Sequence, residues 1–155
     1  MGSEALAVRL ILTDAVTAYA MALDARDWAG FRALFEDEIE VDYSSLGSIH
    51  AVMPAQAWTD RCKVLGAFDA THHKVTNFQV EIAGGAATVT SYVDAAHFIG
   101  ELQGFACGTY VHRFRRHGGA WKISACSFRL AGHQGGRPAF DAAFTAARER
   151  FGNPA

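Results

Sequence analysis

Apolar residues recur at helical spacing through the first part of the chain. Leu12, Val16, Tyr19 and Leu23 follow one another at steps of three or four residues, which predicts a helix beginning near Ser3 with a single apolar stripe. Ser3 is the expected N-cap. A second, short helix is expected from Asp27 to about Glu36, burying Trp28, Phe31, Leu34 and Phe35. Ile39, Val41 and Tyr43 then alternate with Glu40 and Asp42, the period of a strand. Proline suits the first helical position, so Met53-Pro54 is read as opening a third helix. Trp58, Cys62 and Leu65 share a face of that helix, and Gly66 ends it.

After Gly66 the pattern changes to strands. Thr71–Ile82 is rich in β-forming residues, Gly84-Gly85 makes a tight turn, and Ala87–Ile99 returns. Phe105–Arg116 and Trp121–Leu130 form a second such pair around Gly118-Gly119. Gly132–Arg137 reads as a loop, and Pro138 begins a last helix with Phe140, Phe144, Ala147 and Phe151 on one side. Helices followed by a run of antiparallel strands predict an α+β fold. The sheet must curve strongly if the helices are to cover one face, which makes a cone with a blind pocket.

Composition narrows this picture. With 155 residues, residues 1–155 are expected to form one domain. Charged residues are 19% of the chain, below the usual ~25%, so extra buried surface is expected, as a large apolar pocket or a subunit interface. No run of about 18 or more apolar residues is present and the N-terminus lacks a signal-peptide pattern, so neither a membrane span nor secretion is expected. Cys62, Cys107 and Cys126 are odd in number and far apart, which fits a reducing, cytoplasmic setting. A net charge of −2 gives no electrostatic basis for nucleic-acid binding. The basic run Arg113–His117 is expected to be a solvated hairpin tip, and Gly132–Gly136 lacks the helix and lysine of a phosphate loop. No CxxC, HxH or HExxH spacing supports a metal site.

Several polar residues interrupt the apolar pattern. Asp24 lies at the edge of the first helix's stripe, where a carboxylate needs a partner. His72 and His73 open the first long strand, and alternation sends them to opposite faces. His73 shares parity with Val75 and Asn77, whereas His72 shares parity with Phe78, Val80 and Ile82. A bulge would swap the faces, so parity does not choose between them. His97 follows the apolar run of the return strand, and His112 shares parity with Tyr110 and Phe114. Tyr43, Tyr92 and Tyr110 fit core packing as well as function. His50, His117 and His133 are expected to be solvated.

In order and spacing these residues resemble the scytalone dehydratase branch of the NTF2-like (SnoaL-like) superfamily. The matching pieces are Tyr19-Ala20, Asp24–Trp28, Val41–Ser44, Met53–Ala55, Val64–Gly66 and Thr71-x-His73. His97, Gly118–Lys122, Phe140, Phe144 and Arg148–Gly152 complete the match. The resemblance implies an α+β cone in which Asp24 orients His73, with His97 as a second histidine and Tyr43 binding a substrate carbonyl through water. Phe140 and Phe144 correspond to an aromatic lid, and Tyr19, Leu23, Trp28 and Tyr110 to pocket wall. Leu23 replaces a family tyrosine, and Gly108 and Tyr110 stand where the family has serine and asparagine, so a polyhydroxylated naphthalenone is less well accommodated.

The resemblance thus implies a dehydratase acting on a small hydrophobic cyclic substrate, with no metal and no organic cofactor. An isomerase or cyclase, a non-catalytic binding module and a dioxygenase small subunit are the alternatives on this fold. A homo-oligomer is expected, a trimer ahead of a dimer.

Overall fold

The computed structural model describes residues 2–151, with the backbone alone for Phe151, so that side chain's expected place lies outside the described residues. The helices are α1 (Ser3–Ala25), α2 (Trp28–Ala33), α3 (Ala55–Cys62) and α4 (Gly136–Phe151). The strands are β1 (Phe35–Asp42), β2 (His50–Pro54), β3 (Ala70–Ala83), β4 (Ala86–Ile99), β5 (Leu102–His117) and β6 (Ala120–Gln134). They form one sheet in the order β2-β1-β6-β5-β4-β3, curved and not closed. This is the expected α+β cone, with one difference: β1 runs parallel to β6.

The stripe of α1 is the inner wall of the core, with Leu12, Val16, Tyr19, Ala20 and Leu23 buried. By length and mean hydropathy alone α1 is long and apolar enough to cross a bilayer, contrary to the expectation of no such segment; here it lies along β3. Ser3 is the first helical residue and not the cap, a position held by Gly2. Phe35 begins β1 instead of ending α2, which Asp27 caps by accepting the Gly30 amide. Pro54 ends β2, an edge strand that donates no ladder bond there, and precedes α3 as its cap. The chain continues past Cys62 as a 3₁₀ turn, Lys63–Ala67. The glycine-rich segment expected as loop instead extends β6 to Gln134.

β3 is where the fold decides the site. Thr76 faces Tyr92 and Gln79 faces Thr90, so Asn77 and Phe78 together oppose Ser91, a β-bulge. Asn77 has φ of 57°, a left-handed conformation that asparagine tolerates. The bulge swaps the faces: His73 and Val75 point inward before it, Phe78 and Val80 after it, and His72 is exposed.

Two close approaches shape the rest of the cone. A Cβ at Gly104 would lie 3.1 Å from the Gly136 Cα, so this glycine lets α4 settle onto β5. At Gly108, where the resemblance puts a serine, a Cβ would lie 2.2 Å from the Arg129 carbonyl oxygen and 2.9 Å from the Phe128 ring. Gly108→Ala is therefore expected to cost about 1–3 kcal/mol or more, read as a lower urea midpoint. Gly85→Ala, which meets nothing within 4 Å, should be near neutral.

On the outer face, Arg113 pairs with Glu40, and Arg115 and His117 with Glu36. The basic run is exposed and ends β5 at the Gly118-Gly119 turn, the expected solvated hairpin tip, with Arg113, Arg115 and His117 paired to β1.

Candidate active site

The end of α1 and the start of β3 meet in a network of four side chains. Asp24 stands in the last turn of α1. Its Oδ1 lies 2.7 Å from His73 Nδ1, and its Oδ2 accepts the His73 backbone amide at 2.8 Å. Thr71 donates to Asp24 Oδ1 at 2.9 Å and accepts from Arg26 Nη1 at 2.6 Å. Arg26, in the left-handed conformation that ends α1, also donates to the Leu23 carbonyl. Thr71 and His73 share a face because they are two residues apart on one strand. The His73 side chain is only 5% exposed and that of Asp24 22%.

Burial raises the Asp24 carboxyl, but bonds from the His73 ring, the His73 amide and Thr71 outweigh it, and the net shift is downward. Asp24 is therefore a carboxylate at neutral pH. Paired to it, a neutral His73 carries its proton on Nδ1 and leaves Nε2 as a free base.

Thr71 pairs with His97 across the β3–β4 ladder, which sets the two histidines together. Their rings stand edge to face with centroids 5.4 Å apart. Phe140 of α4 and Phe68 lie over His97, at 4.8 and 5.1 Å. Burial first, and then the nearby His73, push His97 down to about 4, so it is neutral at working pH. Its Nδ1 is buried and, among the described residues, has no protein partner. Phe144 does not wall the site. It is 46% exposed, and among the described residues its aromatic neighbour is the Phe140 ring, at 6.3 Å. The side of α4 that is buried carries Ala139, Ala143 and Ala147.

Deeper in the cone is a group of aromatic residues. The Tyr19 and Tyr43 hydroxyls share a hydrogen bond of 2.8 Å. Tyr43 is fixed by the loop after β1: its amide bonds Ile49, and Ser45 clips that loop to β6 through Phe128 and Leu130. Among the described residues Tyr43 makes no bond to the dyad. Burial raises both tyrosines well above 10, so both stay protonated. Tyr110 packs edge-on to Tyr19, and Leu23 is buried beside them. Trp28 is half-buried against this core. His112 is fully buried, among the described residues neither of its ring nitrogens is bonded, and burial pushes it down to about 3.

Asp24, His73 and His97, with Phe140, form one cluster; Tyr19, Tyr43, Tyr110 and Leu23 form the adjoining wall; Phe144 stands apart. Sequence reasoning passed over Arg26, Phe68, Trp58 and the role of Thr71. Thr71 had a signal, its parity with His73, whereas Phe68 and Arg26 reach the site only through turns. The described concavities, one of about 440 Å³, lie on the outer sheet face and include none of these residues. Among the described residues no three His, Cys, Asp or Glu side chains converge as metal ligands.

A curved sheet closed by helices over a buried Asp–His pair defines a SnoaL-like protein of the NTF2-like superfamily. Residues 4–127 match the sequence profile of the SnoaL-like domain, and the chain belongs to that family. No curated protein matches the chain. Among solved structures, a protein of Kribbella flavida superposes with a TM-score of 0.80 at 22% identity, over 90% of this chain and 98% of its own. A protein described as a candidate scytalone dehydratase from Novosphingobium aromaticivorans gives 0.79 at 22% identity, over 87% and 91%. The type 3 hexachlorocyclohexane dehydrochlorinase of Novosphingobium barchaimii gives 0.71 at 18% identity, over 83% and 90%. At these identities the likeness establishes the fold.

Proposed function

We propose that the protein is a lyase that removes water from a small hydrophobic ring bearing a carbonyl, with His73 as general base. The observation that carries this reading is the 2.7 Å Asp24–His73 bond inside the cone, with neutral His97 against it. His73 Nε2 takes the proton next to the carbonyl, and the C–H electron pair passes to the enolate. Asp24 holds the ring in the competent tautomer and stabilises the imidazolium. The enolate then re-forms the carbonyl, a C=C bond is made, and the β-C–O bond breaks. The imidazolium returns its proton to the departing hydroxide, which leaves as water and regenerates the base. These steps use side chains of the chain alone.

Neutral His97 adds no charge to oppose the imidazolium. Phe68 and Phe140 cover His97, which keeps the His97 side of the dyad apolar and strengthens charge interactions there. The names of two structural relatives, a candidate dehydratase and a dehydrochlorinase, support elimination as the reaction class.

Incubation with 3-hydroxycyclohexanone is expected to yield cyclohexenone and water, followed by NMR. An isomeric hydroxy-ketone formed without loss of water would overturn the lyase assignment in favour of an isomerase.

A further inference from the structure

Arg26 ends α1 with φ of 59°, a left-handed conformation that helix ends usually give to glycine. Among the described residues one other non-glycine, Asn77, has positive φ, and asparagine visits that region readily. Arginine has no such local reason to be there. A long side chain kept at a strained position directs attention to what it holds.

Arg26 is half-buried. Its Nη1 donates to the Leu23 carbonyl and to Thr71 Oγ1, each at 2.6 Å. It thus ties the last turn of α1 to the start of β3. Thr71 is buried, and its hydroxyl has one hydrogen and two lone pairs. A guanidinium only donates, so the Thr71 oxygen must accept on that side. Its own hydrogen is left for Asp24 Oδ1, at 2.9 Å. The donors therefore run in one sense, from Arg26 to Thr71 to Asp24. With the His73 ring and amide, Asp24 accepts three bonds across its two oxygens. Without Arg26 the Thr71 hydroxyl is free to rotate away, and Asp24 keeps only the bonds from His73 itself.

We propose that Arg26 and Thr71 are positioning residues for the Asp24–His73 pair. Arg26 directs the Thr71 hydroxyl, the hydroxyl holds the carboxylate in one plane, and the carboxylate holds the His73 ring. That this alignment serves proton abstraction rests on the lyase reading; the alignment itself does not.

Three variants test it. Arg26→Gly keeps the left-handed turn and removes the guanidinium. Thr71→Val keeps the shape and removes the hydroxyl, and Thr71→Ser keeps the hydroxyl. The first readout is exchange of the His73 Nδ1–H with water, followed by NMR and assigned by the loss of its signal in His73→Ala. Exchange should be about tenfold faster or more in Arg26→Gly and Thr71→Val, and near wild type in Thr71→Ser. The second readout is turnover of 3-hydroxycyclohexanone. Arg26→Gly and Thr71→Val should each lower kcat by about 10- to 10²-fold with KM within about twofold, and Thr71→Ser should restore it. The double variant Arg26→Gly/Thr71→Val should be no slower than the slower single one, because both act along one chain of bonds. Unchanged ring N–H exchange in either variant overturns the proposal whatever kcat does, and so does a wild type with no protected ring N–H. Additive losses in the double variant, or wild-type kcat beside faster exchange, overturn it too. If one variant fails to fold, the other carries the test; if both fail, the residues hold the fold and the proposal falls. Wild type that turns over the hydroxy-ketone, with ring exchange unchanged in the variants, sinks the positioning and leaves the lyase. Inactive wild type with the expected changes in exchange does the reverse.

Discussion

Asp24→Asn is expected to lower kcat on a cyclic hydroxy-ketone by about 10²–10⁴-fold, with KM changed far less. The carboxylate does two things that a carboxamide cannot do together. It accepts from the His73 ring, the His73 amide and Thr71 at once, through both oxygens. It also carries the charge that balances an imidazolium. An amide has one accepting oxygen, so its NH₂ must face one of those donors or turn the ring to the wrong tautomer. Because the binding wall of Tyr19, Tyr43 and Leu23 is untouched, the loss falls on the chemical step. Far-UV circular dichroism and a thermal melt check that the variant is folded. Turnover within about fivefold of wild type would show that the carboxylate is not needed for the base to act.

Acid is expected to destabilise the protein steeply, well above the range in which its carboxylates protonate. In the unfolded chain both His97 and His112 take up a proton near pH 6.5. In the folded protein burial holds them to about 4 and about 3. Their folded values are depressed, so the unfolded state binds more protons as the pH falls below 6.5. Each histidine then removes about 1.4 kcal/mol of stability per pH unit, down to its folded value. The lowered carboxyl of Asp24 adds to the loss only below its ordinary 3.8. Over two pH units the histidines together remove an amount comparable with the ~5–15 kcal/mol of a typical domain. Urea midpoints at pH 7, 6 and 5 should fall accordingly. His112→Leu should reduce the slope by about half, and be no less stable than wild type at pH 7, since it removes two unpartnered ring nitrogens. A flat midpoint from pH 7 to 5, or an unchanged slope in His112→Leu, would show that His112 is charged or solvated in the folded state.

Periodic signals were the legible part of this chain. The stripe from Leu12 to Leu23 and the paired glycines at 84-85 and 118-119 lead directly to α1 and the two hairpins. The edge strand β2 escaped notice because His50–Pro54 is short and ends in proline, a helix-opening signal elsewhere. Phe31, Leu34 and Phe35 have helical spacing, yet the chain extends at Phe35 because β1 is drawn alongside β6. The choice between His72 and His73 needed the bulge at Asn77, a backbone feature without a fixed side-chain signature. In α4 the phenylalanines are the larger apolar residues, but the alanines of the next face are buried. Small side chains are what permit the close approach at Gly104, and hydrophobicity alone does not report closeness. The Asp24–His73 pairing came from the family resemblance; the sequence pattern marked Asp24 only as a carboxylate in need of a partner.

The central claim, that His73 is a base aimed at a carbon acid, is tested most directly by proton exchange. Wild type and His73→Ala are incubated in D₂O with 3-hydroxycyclohexanone, and the α-protons are followed by NMR. Wild type should exchange them or carry them on to the enone, and His73→Ala should do neither above the rate in buffer. Equal exchange in both proteins would contradict the account.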